Sequence, residues 1–596
     1  MTKTVGDFVT ERLHEWGVKL VFGYPGDGIN GMFAALQRVE GRIGFVQVRH
    51  EEMAAFMASA YAKFSGEMGV CISTGGPGAS HMVTGLYDAK LDHQAVLAIT
   101  GQVAQTVRGA HYQQELNLDR LFADVADYVQ EVVAPAQARH VIDQACRVAK
   151  ANRAPCVVVL PADLQLKAME QPERAHGFVR SGVGYTRPKM VPYPVDLQRA
   201  ADVLNAGKKV AVLIGAGAMH AHDEVVAIAE ALGAGVAKAL LGKAALPDDL
   251  PFVTGTIGLL GTEPSSNMMD GCDTLLMVGT SFPWAEFLPK DGQARCVQID
   301  IKAQSLGLRY PCEVNLHGDS AETLAALLPL LEGKTERSWR ATIEADVVEW
   351  WKTVENRAFA KADPVNPQRV VWEMSPRLPA DAIITSDSGN CADWYARNLR
   401  IKRGQMASLL GGLASMGAAV PYAIAAKFAH PSRPVIALVG DGAMQMNNMA
   451  ELITVQKYWR DWTSPTWICC VFNNEDLNQV TWEQRVMLGE PRFDATQLIP
   501  NVPYAKFAES IGLNAIYVDD PEQLGAAWDT ALAADRPTLI EVKTDPEVPP
   551  LPPHISFEQA GKFMRTMVKG DAGGAHLIAE SARQVLSGVL PGDKRR

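Results

Sequence analysis

Short apolar runs of five or six residues, each closing on glycine, aspartate or asparagine, recur along the chain and alternate with stretches of helical periodicity. The clearest are Val435–Val439, which opens into Gly440-Asp441-Gly442, and Trp467–Phe472, which ends in Asn473-Asn474, with a helix-like segment between them. A run with no polar alternation is buried on both faces, as a parallel strand is, and a helix between two such runs makes a βαβ unit. The same alternation starts with a helix at Val5–Trp16 and a strand at Leu20–Phe22, and continues through strands at Gly69–Ser73, Ala95–Thr100 and Cys156–Leu160. It resumes at Val210–Ile214, Thr274–Val278 and Val297–Asp300. The spacing predicts an α/β chain of three consecutive doubly wound parallel-sheet domains, over residues 1–185, 195–331 and 366–548, with a mostly helical tail over 549–596. Proline-rich passages at 187–194 and 548–553 and a charged helical stretch at 332–361 mark the joints.

In open parallel sheets, ligands sit in the crevice at the carboxyl ends of the strands. Gly440 and Gly442 permit a tight turn and a close approach of backbone N–H groups to an anion, and Asp441 between them is a hard oxygen ligand. Asn474 adds a neutral oxygen, and a backbone carbonyl such as that of Asp476 adds another. With two phosphate oxygens the set suits Mg²⁺, which takes octahedral oxygen coordination and is commonly shared with a substrate phosphate. Gly-Asp-Gly alone is as often an ordinary βα turn; the paired asparagines after the next strand favour the ligand-binding reading.

Together these segments resemble the diphosphate-and-metal motif of thiamine diphosphate (ThDP) enzymes, and the three-domain layout resembles the acetolactate synthase and pyruvate oxidase group over nearly the whole chain. The resemblance implies that Asp441, Asn474 and the carbonyl of Asp476 hold the metal, and that Gly440, Gly442 and Ala443 lie against the diphosphate. Tyr458–Thr466 looks like an insertion before the second strand. Arg49-His50-Glu51-Glu52-Met53-Ala54-Ala55-Phe56 matches the family segment that carries the carboxylate of the aminopyrimidine ring, which puts that role on Glu51. Such a group favours the imino tautomer whose nitrogen removes the C2 proton of ThDP. The alternative for Glu51 is a solvated acid at a helix start.

The resemblance also implies cofactor contacts from Gly26 and Asp27, from the outer diphosphate loop Asp387-Ser388-Gly389, and from Met416 as the apolar prop under the bent cofactor. Gln113 falls near substrate and cofactor, although Tyr112 and Gln114 depart from the family's Phe-Gln-Glu. No His-His pair stands near residues 111–112, which counts against the simple keto-acid decarboxylases of the superfamily. In the middle domain Gly215 and Gly217 follow a strand as a dinucleotide fingerprint does, with His220 in place of the third glycine. With Leu241, Gly242, Lys243, Gly258, Gly279, Thr280, Asp300 and Asp319 they resemble the segments that line FAD. The alternative is a middle domain that binds nothing, or a different nucleotide. Val480 and Glu483 match the substrate-contacting helix of the pyruvate oxidase type, whereas acetolactate synthases carry a tryptophan at what aligns with Glu483. Trp482, one residue away on a helix, faces elsewhere and is expected to pack.

The function these features imply is ThDP-, Mg²⁺- and FAD-dependent oxidative decarboxylation of pyruvate or a close 2-keto acid to acetate or acetyl phosphate, with electrons passing to quinone or O₂. The rival is a carboligase of acetolactate synthase type with structural FAD. A homodimer or homotetramer with active sites between subunits is expected from the same resemblance. Composition narrows the remaining choices. The net charge of −11 and a pI near 5.7 argue against nucleic acid as a partner. No signal peptide and no long apolar span is expected, and nine cysteines without C-x-x-C spacing, Cys71, Cys156 and Cys296 among them, point to buried thiols in a reducing cytoplasm. Pro552–Ala560 resembles the C-terminal part of quinone-linked pyruvate dehydrogenase. The weakly amphipathic His576–Leu590, followed by Lys594-Arg595-Arg596, is a candidate for peripheral contact with the inner face of a membrane, with a docked or frayed terminal helix as the commoner outcome.

Overall fold

The computed structural model describes residues 3–169, 176–177, 179–550 and 557–568. Three six-stranded parallel sheets with helices follow one another along the chain. The first holds β1 (Leu20–Gly23), β2 (Gly44–Gln47), β3 (Gly69–Ser73), β4 (Val96–Gln102), β5 (Tyr128–Glu131) and β6 (Pro155–Pro161) in the order 2-1-3-4-6-5. The third holds β13 (Ile383–Ser386), β14 (Met406–Leu409), β15 (Val435–Gly440), β16 (Trp467–Asn473), β17 (Asn514–Val518) and β18 (Thr538–Lys543), ordered 14-13-15-16-18-17. Counted from its own first strand, that is the order of the first sheet, so the outer domains are topological repeats.

The middle sheet differs. Its strands β7 (Val210–Ile214), β8 (Gly235–Lys238), β9 (Val253–Thr256), β10 (Thr274–Val278), β11 (Arg295–Asp300) and β12 (Val314–His317) run 12-11-10-7-8-9. Renumbered from β7 and reversed, this is 3-2-1-4-5-6, the dinucleotide-binding order, whose ligand crevice lies where strands 1 and 4 part. Here those strands are β7 and β10, which lead into Gly215 and Gly279.

The first and third domains share one hydrophobic core. The helix Glu51–Ser65 lies against the helix Ala419–Ala429, and both are rich in alanine, which lets the backbones approach. At this seam Lys63, in the last turn of the first helix, donates to Asp92 Oδ2 at 2.7 Å, to the Leu409 carbonyl at 3.0 Å and to the Tyr422 hydroxyl at 2.6 Å. The Tyr422 hydroxyl donates onward to Asp88, and Asp92 accepts from the Gly411 and Gly412 amides. Burial alone would push the Lys63 ammonium down; Asp88 and Asp92 hold it above its usual value. Burial raises Asp88 to about 6 against the opposing pull of Lys63.

The segment that looks like an insertion closes the same seam. Tyr458 accepts from the Gln47 amide at 2.8 Å, and Tyr458 and Trp462 both meet the edge of Phe428. Beside it the buried Glu451 accepts from the Arg49 amide through Oε1 at 2.7 Å.

One cysteine expectation is corrected. Cys296 is not a free buried thiol: the parallel register of β11 and β12 brings the turn before β12 beside it, and Cys296 is bonded to Cys312. Cys469 and Cys470 are buried within β16, as packing requires. Among the described residues no helix is long and apolar enough to cross a membrane, and His576–Leu590 lies outside them.

Two outcomes follow for the seam. Lys63→Met leaves two buried carboxylates without their cation and should destabilise the fold by about 3–5 kcal/mol, read from the urea midpoint; an unchanged midpoint would mean the network adds nothing. Burial pushes Glu451 from its usual 4.5 up to about 7. The folded chain therefore binds more protons than the unfolded one between those values, and the contribution present below pH 4.5 is lost as pH rises to about 7. Glu451→Gln should gain stability relative to the parent across that window, by up to about 3 kcal/mol; a pH-independent difference would contradict this.

Candidate active site

The third sheet builds its site where β13 and β15 diverge. A Cβ at Gly389, after β13, or at Gly440, at the end of β15, would meet nothing within 4 Å, so both strand ends face open space. Asp441 lies between this opening and the turn after β16. Its Oδ1 accepts from the Gly442 amide at 2.8 Å, and Oδ2 accepts from the Asn474 and Glu475 amides at 2.8 and 2.6 Å. Holding that turn requires Glu475 to adopt a φ of 56°, a left-handed conformation rare for a non-glycine residue. Burial, against the three amides, still pushes the Asp441 carboxyl up to about 7. A divalent cation would supply the charge that favours its ionised form.

Asn474 Oδ1 accepts from the Asp476 amide at 3.0 Å. The Asp476 carboxylate turns inward to Thr481 at 2.8 Å and Asn478 at 2.9 Å, while its backbone carbonyl accepts no backbone hydrogen bond among the described residues. Asp441, Asn474 and the Asp476 carbonyl are therefore an all-oxygen set on two adjacent turns, which could hold Mg²⁺. Met416 reaches them: its Cε stands 3.0 Å from where a Cβ on Gly442 would be. Ala443 is buried behind, and Met444–Asn448 form a π-type turn, a distortion frequent at functional sites.

The outer loop is organised from within. Asp387 is fully buried and accepts from the Ser388, Gly417 and Ala419 amides and from Asn448 Nδ2, so it orders three segments rather than facing the opening. Burial raises its pKa. Ser388 donates to the Ser415 carbonyl at 2.9 Å, next to Met416.

In the first domain Glu51 is 8% exposed, so it is not a solvated helix-start acid. Its Oε2 lies 2.9 Å from His81 Nδ1, and its Oε1 lies 3.1 Å from where a Cβ on Gly78 would be. His50 caps the helix through Glu52 N and stacks on His81 with centroids 4.3 Å apart. Sequence reasoning missed His81, because nothing in a separation of thirty residues signals the pairing. Gly26 packs tightly on Thr74, and Asp27 accepts from the Gly28 amide at 2.9 Å. Gln113 is exposed on a loop where His111 and Gln114 have positive φ and Gln114 packs on Gly76. Among the described residues no hydrogen bond or ion pair joins Glu51 to the Asp441 turns or to Gln113.

The helix Asn478–Glu483 leaves Val480 51% exposed, and Glu483 accepts from Gln479 at 3.0 Å. Trp482 points the other way, buried, donating to the Pro546 carbonyl at 3.1 Å and stacked on Phe563 of the helix Phe557–Val568. It packs, as its helix position predicts.

In the middle domain the glycines crowd one another at the parting of β7 and β10. The Gly217 amide donates to the Gly279 carbonyl at 3.0 Å, and a Cβ on Gly217 would stand 2.7 Å from Gly279 Cα. A Cβ on Gly242 would stand 2.7 Å from the Gly215 carbonyl carbon. Thr280 follows and accepts from the Phe282 amide, and Gly258, at φ 101°, lies under the Phe282 ring. Two residues reach the third domain instead: Leu241 packs on Gly411, and the buried Lys243 ammonium donates to the Ala396 carbonyl at 3.1 Å beside Asp248, where burial lowers it to about 8. Asp300, at the end of β11, accepts from the Lys302 amide, and its pKa is raised by burial. Asp319 caps the helix Ser320–Leu327 and pairs with Arg187 at 2.8 Å. Backbone amides and Asp300 at this crevice could hold a dinucleotide.

If Asp441 is the anchoring cation ligand, Asp441→Asn should weaken Mn²⁺ binding at least tenfold by electron paramagnetic resonance; equal affinity in both proteins would place the cation elsewhere.

Comparison with known proteins bears on both halves of this site. The N-terminal TPP binding domain of thiamine pyrophosphate enzymes matches residues 3–121, the central domain 197–327 and the C-terminal TPP binding domain 387–542. YdaP of Bacillus subtilis (strain 168) is 36% identical over 95% of this chain and 96% of its own length. Pyruvate oxidase of Lactiplantibacillus plantarum is 30% identical over 90% of this chain and 88% of its own. Acetolactate synthase isozyme 2 large subunit of Escherichia coli (strain K12) is 30% identical over 91% and 97%. With the Asp441 turns and the buried Glu51 falling inside the two TPP-binding matches, the chain belongs to the thiamine pyrophosphate enzyme family, in the superfamily of pyruvate oxidase and acetolactate synthase.

Proposed function

We propose that the chain carries out ThDP- and FAD-dependent oxidative decarboxylation of pyruvate or a close 2-keto acid, releasing CO₂ and acetate or acetyl phosphate. The observation that carries this reading is the placement of Trp482. A carboligase of the synthase type uses a tryptophan on this helix to hold its second keto acid, and here the indole is buried against Pro546 and Phe563 while Val480 and Glu483 occupy the other face.

When bound, ThDP supplies a carbon nucleophile and an electron sink for decarboxylation, and FAD supplies the acceptor for two electrons. The residues do the rest. Glu51, buried and oriented by His81, holds a proton at the pyrimidine ring nitrogen, and its low-dielectric surroundings strengthen that hydrogen bond. Asp441, Asn474 and the Asp476 carbonyl would hold Mg²⁺, and the open backbone at Gly389 and Gly440 would leave room for diphosphate oxygens. Met416 offers the apolar support above Gly442. Val480, half exposed, and Glu483 on the same side of the helix would meet a substrate held at this site. In the middle domain the close-packed glycines at 215, 217 and 279 would let the pyrophosphate of FAD approach the strand ends, and Asp300 would accept from a ribose hydroxyl. The reading divides each site between two copies of the chain, Glu51 from one and Asp441 from the other, in a homodimer or homotetramer.

The carboligase remains the second reading because the pyruvate oxidase and acetolactate synthase relatives above are equally similar to this chain. Anaerobic mixing of the protein loaded with ThDP, Mg²⁺ and FAD with pyruvate separates the two. Rapid flavin bleaching with CO₂ release is expected, slowed by about 10²–10⁴-fold in Glu51→Gln. Flavin that stays oxidised while acetolactate accumulates would establish the carboligase, and reoxidation by a quinone analogue against O₂ names the electron acceptor.

A further inference from the structure

The fold assembles one cluster that the sequence scatters. His50, Glu51 and His81 each bring a ligand atom to within 4.8 Å of the others. His81 Nδ1 and Glu51 Oε2 are 2.9 Å apart, and the two imidazoles stack at 4.3 Å with an interplanar angle of 28°. The histidine side chains are 40% and 43% exposed, so the cluster opens to solvent on one side and rests on a buried carboxylate on the other.

We propose that His50, Glu51 and His81 form a binding site for a divalent transition metal of the zinc class, and that a metal held there takes the Glu51 carboxylate away from the cofactor. The donor set sets the class: two imidazole nitrogens and one carboxylate oxygen suit Zn²⁺ and its neighbours, whereas Mg²⁺ takes oxygen. Three protein ligands leave a fourth position for water, the arrangement of open zinc sites. Ligand atoms around tetrahedral zinc stand roughly 3.3 Å apart. The carboxylate and His81 are already near that separation, and half-exposed imidazoles close the remainder by side-chain rotation. An outer partner is also in place. His50 Nδ1 lies 4.0 Å from Glu52 Oε2, which Asn447 Nδ2 holds at 2.8 Å. With a metal on its other nitrogen, His50 would give up the Glu52 amide that its Nδ1 now accepts and turn an Nδ1–H to that carboxylate, as metal-bound imidazoles do. The positive end of the helix Glu51–Ser65 opposes a cation here, and the adjacent charges of Glu51 and Glu52 offset it. Arg49, the nearest cation along the chain, directs its guanidinium to Gln47.

The proposal makes the site mutually exclusive with the cofactor, because Oε1 is packed against Gly78 and Oε2 at His81 is left as the oxygen for which metal and pyrimidine would compete. Metal binding stands on the geometry alone, and the exclusion rests on the role proposed for Glu51. The test uses the full-length protein stripped of metals and ThDP and titrated with Co²⁺, whose visible absorption intensifies in four- and five-coordinate sites. The chain has 13 histidines, so sensitivity to substitution identifies the site. His50→Ala and His81→Ala, each checked for folding by circular dichroism, should each lose the band or weaken Co²⁺ at least tenfold, whereas Asp441→Asn should keep it. A parent without the band, or histidine variants that retain it, would overturn the proposal. Added ThDP with Mg²⁺ should then bleach the parent's band, and Zn²⁺ added first should slow cofactor loading until a chelator is supplied. A histidine-dependent band that ThDP leaves untouched would keep the metal site and overturn the exclusion, together with the role read for Glu51.

Discussion

The first and third domains meet at one buried seam, where an ammonium, two carboxylates and a phenol hold two alanine-rich helices together, and that seam relates Glu51 of one domain to the Gly417 turn of the other. The helix that begins at Glu51 ends at Lys63, and the helix that carries Tyr422 begins two residues after Gly417, which Asp387 holds beside Met416. An apolar seam alone would tolerate sliding, since alanine surfaces interlock weakly. Lys63 removes that freedom, because displacement would strand buried charge. The aromatic cluster of Phe428, Tyr458 and Trp462, with Tyr458 bonded to the Gln47 amide, closes the same seam from the other end. The segment that looked like an insertion is thus part of the joint.

Backbone, more than side chain, builds the sites. In the third domain Asp441 and Asp387 use their oxygens on amides of neighbouring turns, which fixes those turns. In the middle domain the glycines at 215, 217, 242 and 279 are needed first for backbone-on-backbone packing, and only then for access by a ligand. The two demands coincide at a strand parting, where chains must pass close together and where the crevice opens. That coincidence explains why a fingerprint without its third glycine still sits in a dinucleotide-type sheet.

The three-domain α/β fold was legible because uninterrupted apolar runs need burial on both faces, and the polar residues that close them mark the carboxyl edge. Asp441 and Asn474 were legible for the same reason: each directly follows a strand. Strand order was not, since β2, β5, β14 and β17 are short and edge-placed, and adjacency is set by packing that periodicity does not encode. His81 was hidden because the full helix Glu51–Ser65 and strand β3 separate it from its partner, and Cys312 because its bond to Cys296 depends on the register of β11 and β12. Asp319 and Lys243 carried residue types suited to a nucleotide, yet their side chains serve a helix cap and a domain contact. Residue type identified the edge; only tertiary structure says which way a side chain turns there.

Trp482 shows the same distinction on a single helix. By residue type alone, a tryptophan beside Glu483 invites a synthase reading. On a helix, adjacent positions diverge by about 100°, so Trp482 and Glu483 cannot both face the pocket. The buried face is fixed by partners: the indole N–H needs an acceptor and finds the Pro546 carbonyl, and the ring needs apolar cover and finds Phe563. Both partners come from the end of the chain, beyond the last strand. The C-terminal helix therefore does more than end the fold, because by taking the indole it turns Val480 and Glu483 toward the open side of the helix, and thereby selects which residues a substrate would meet.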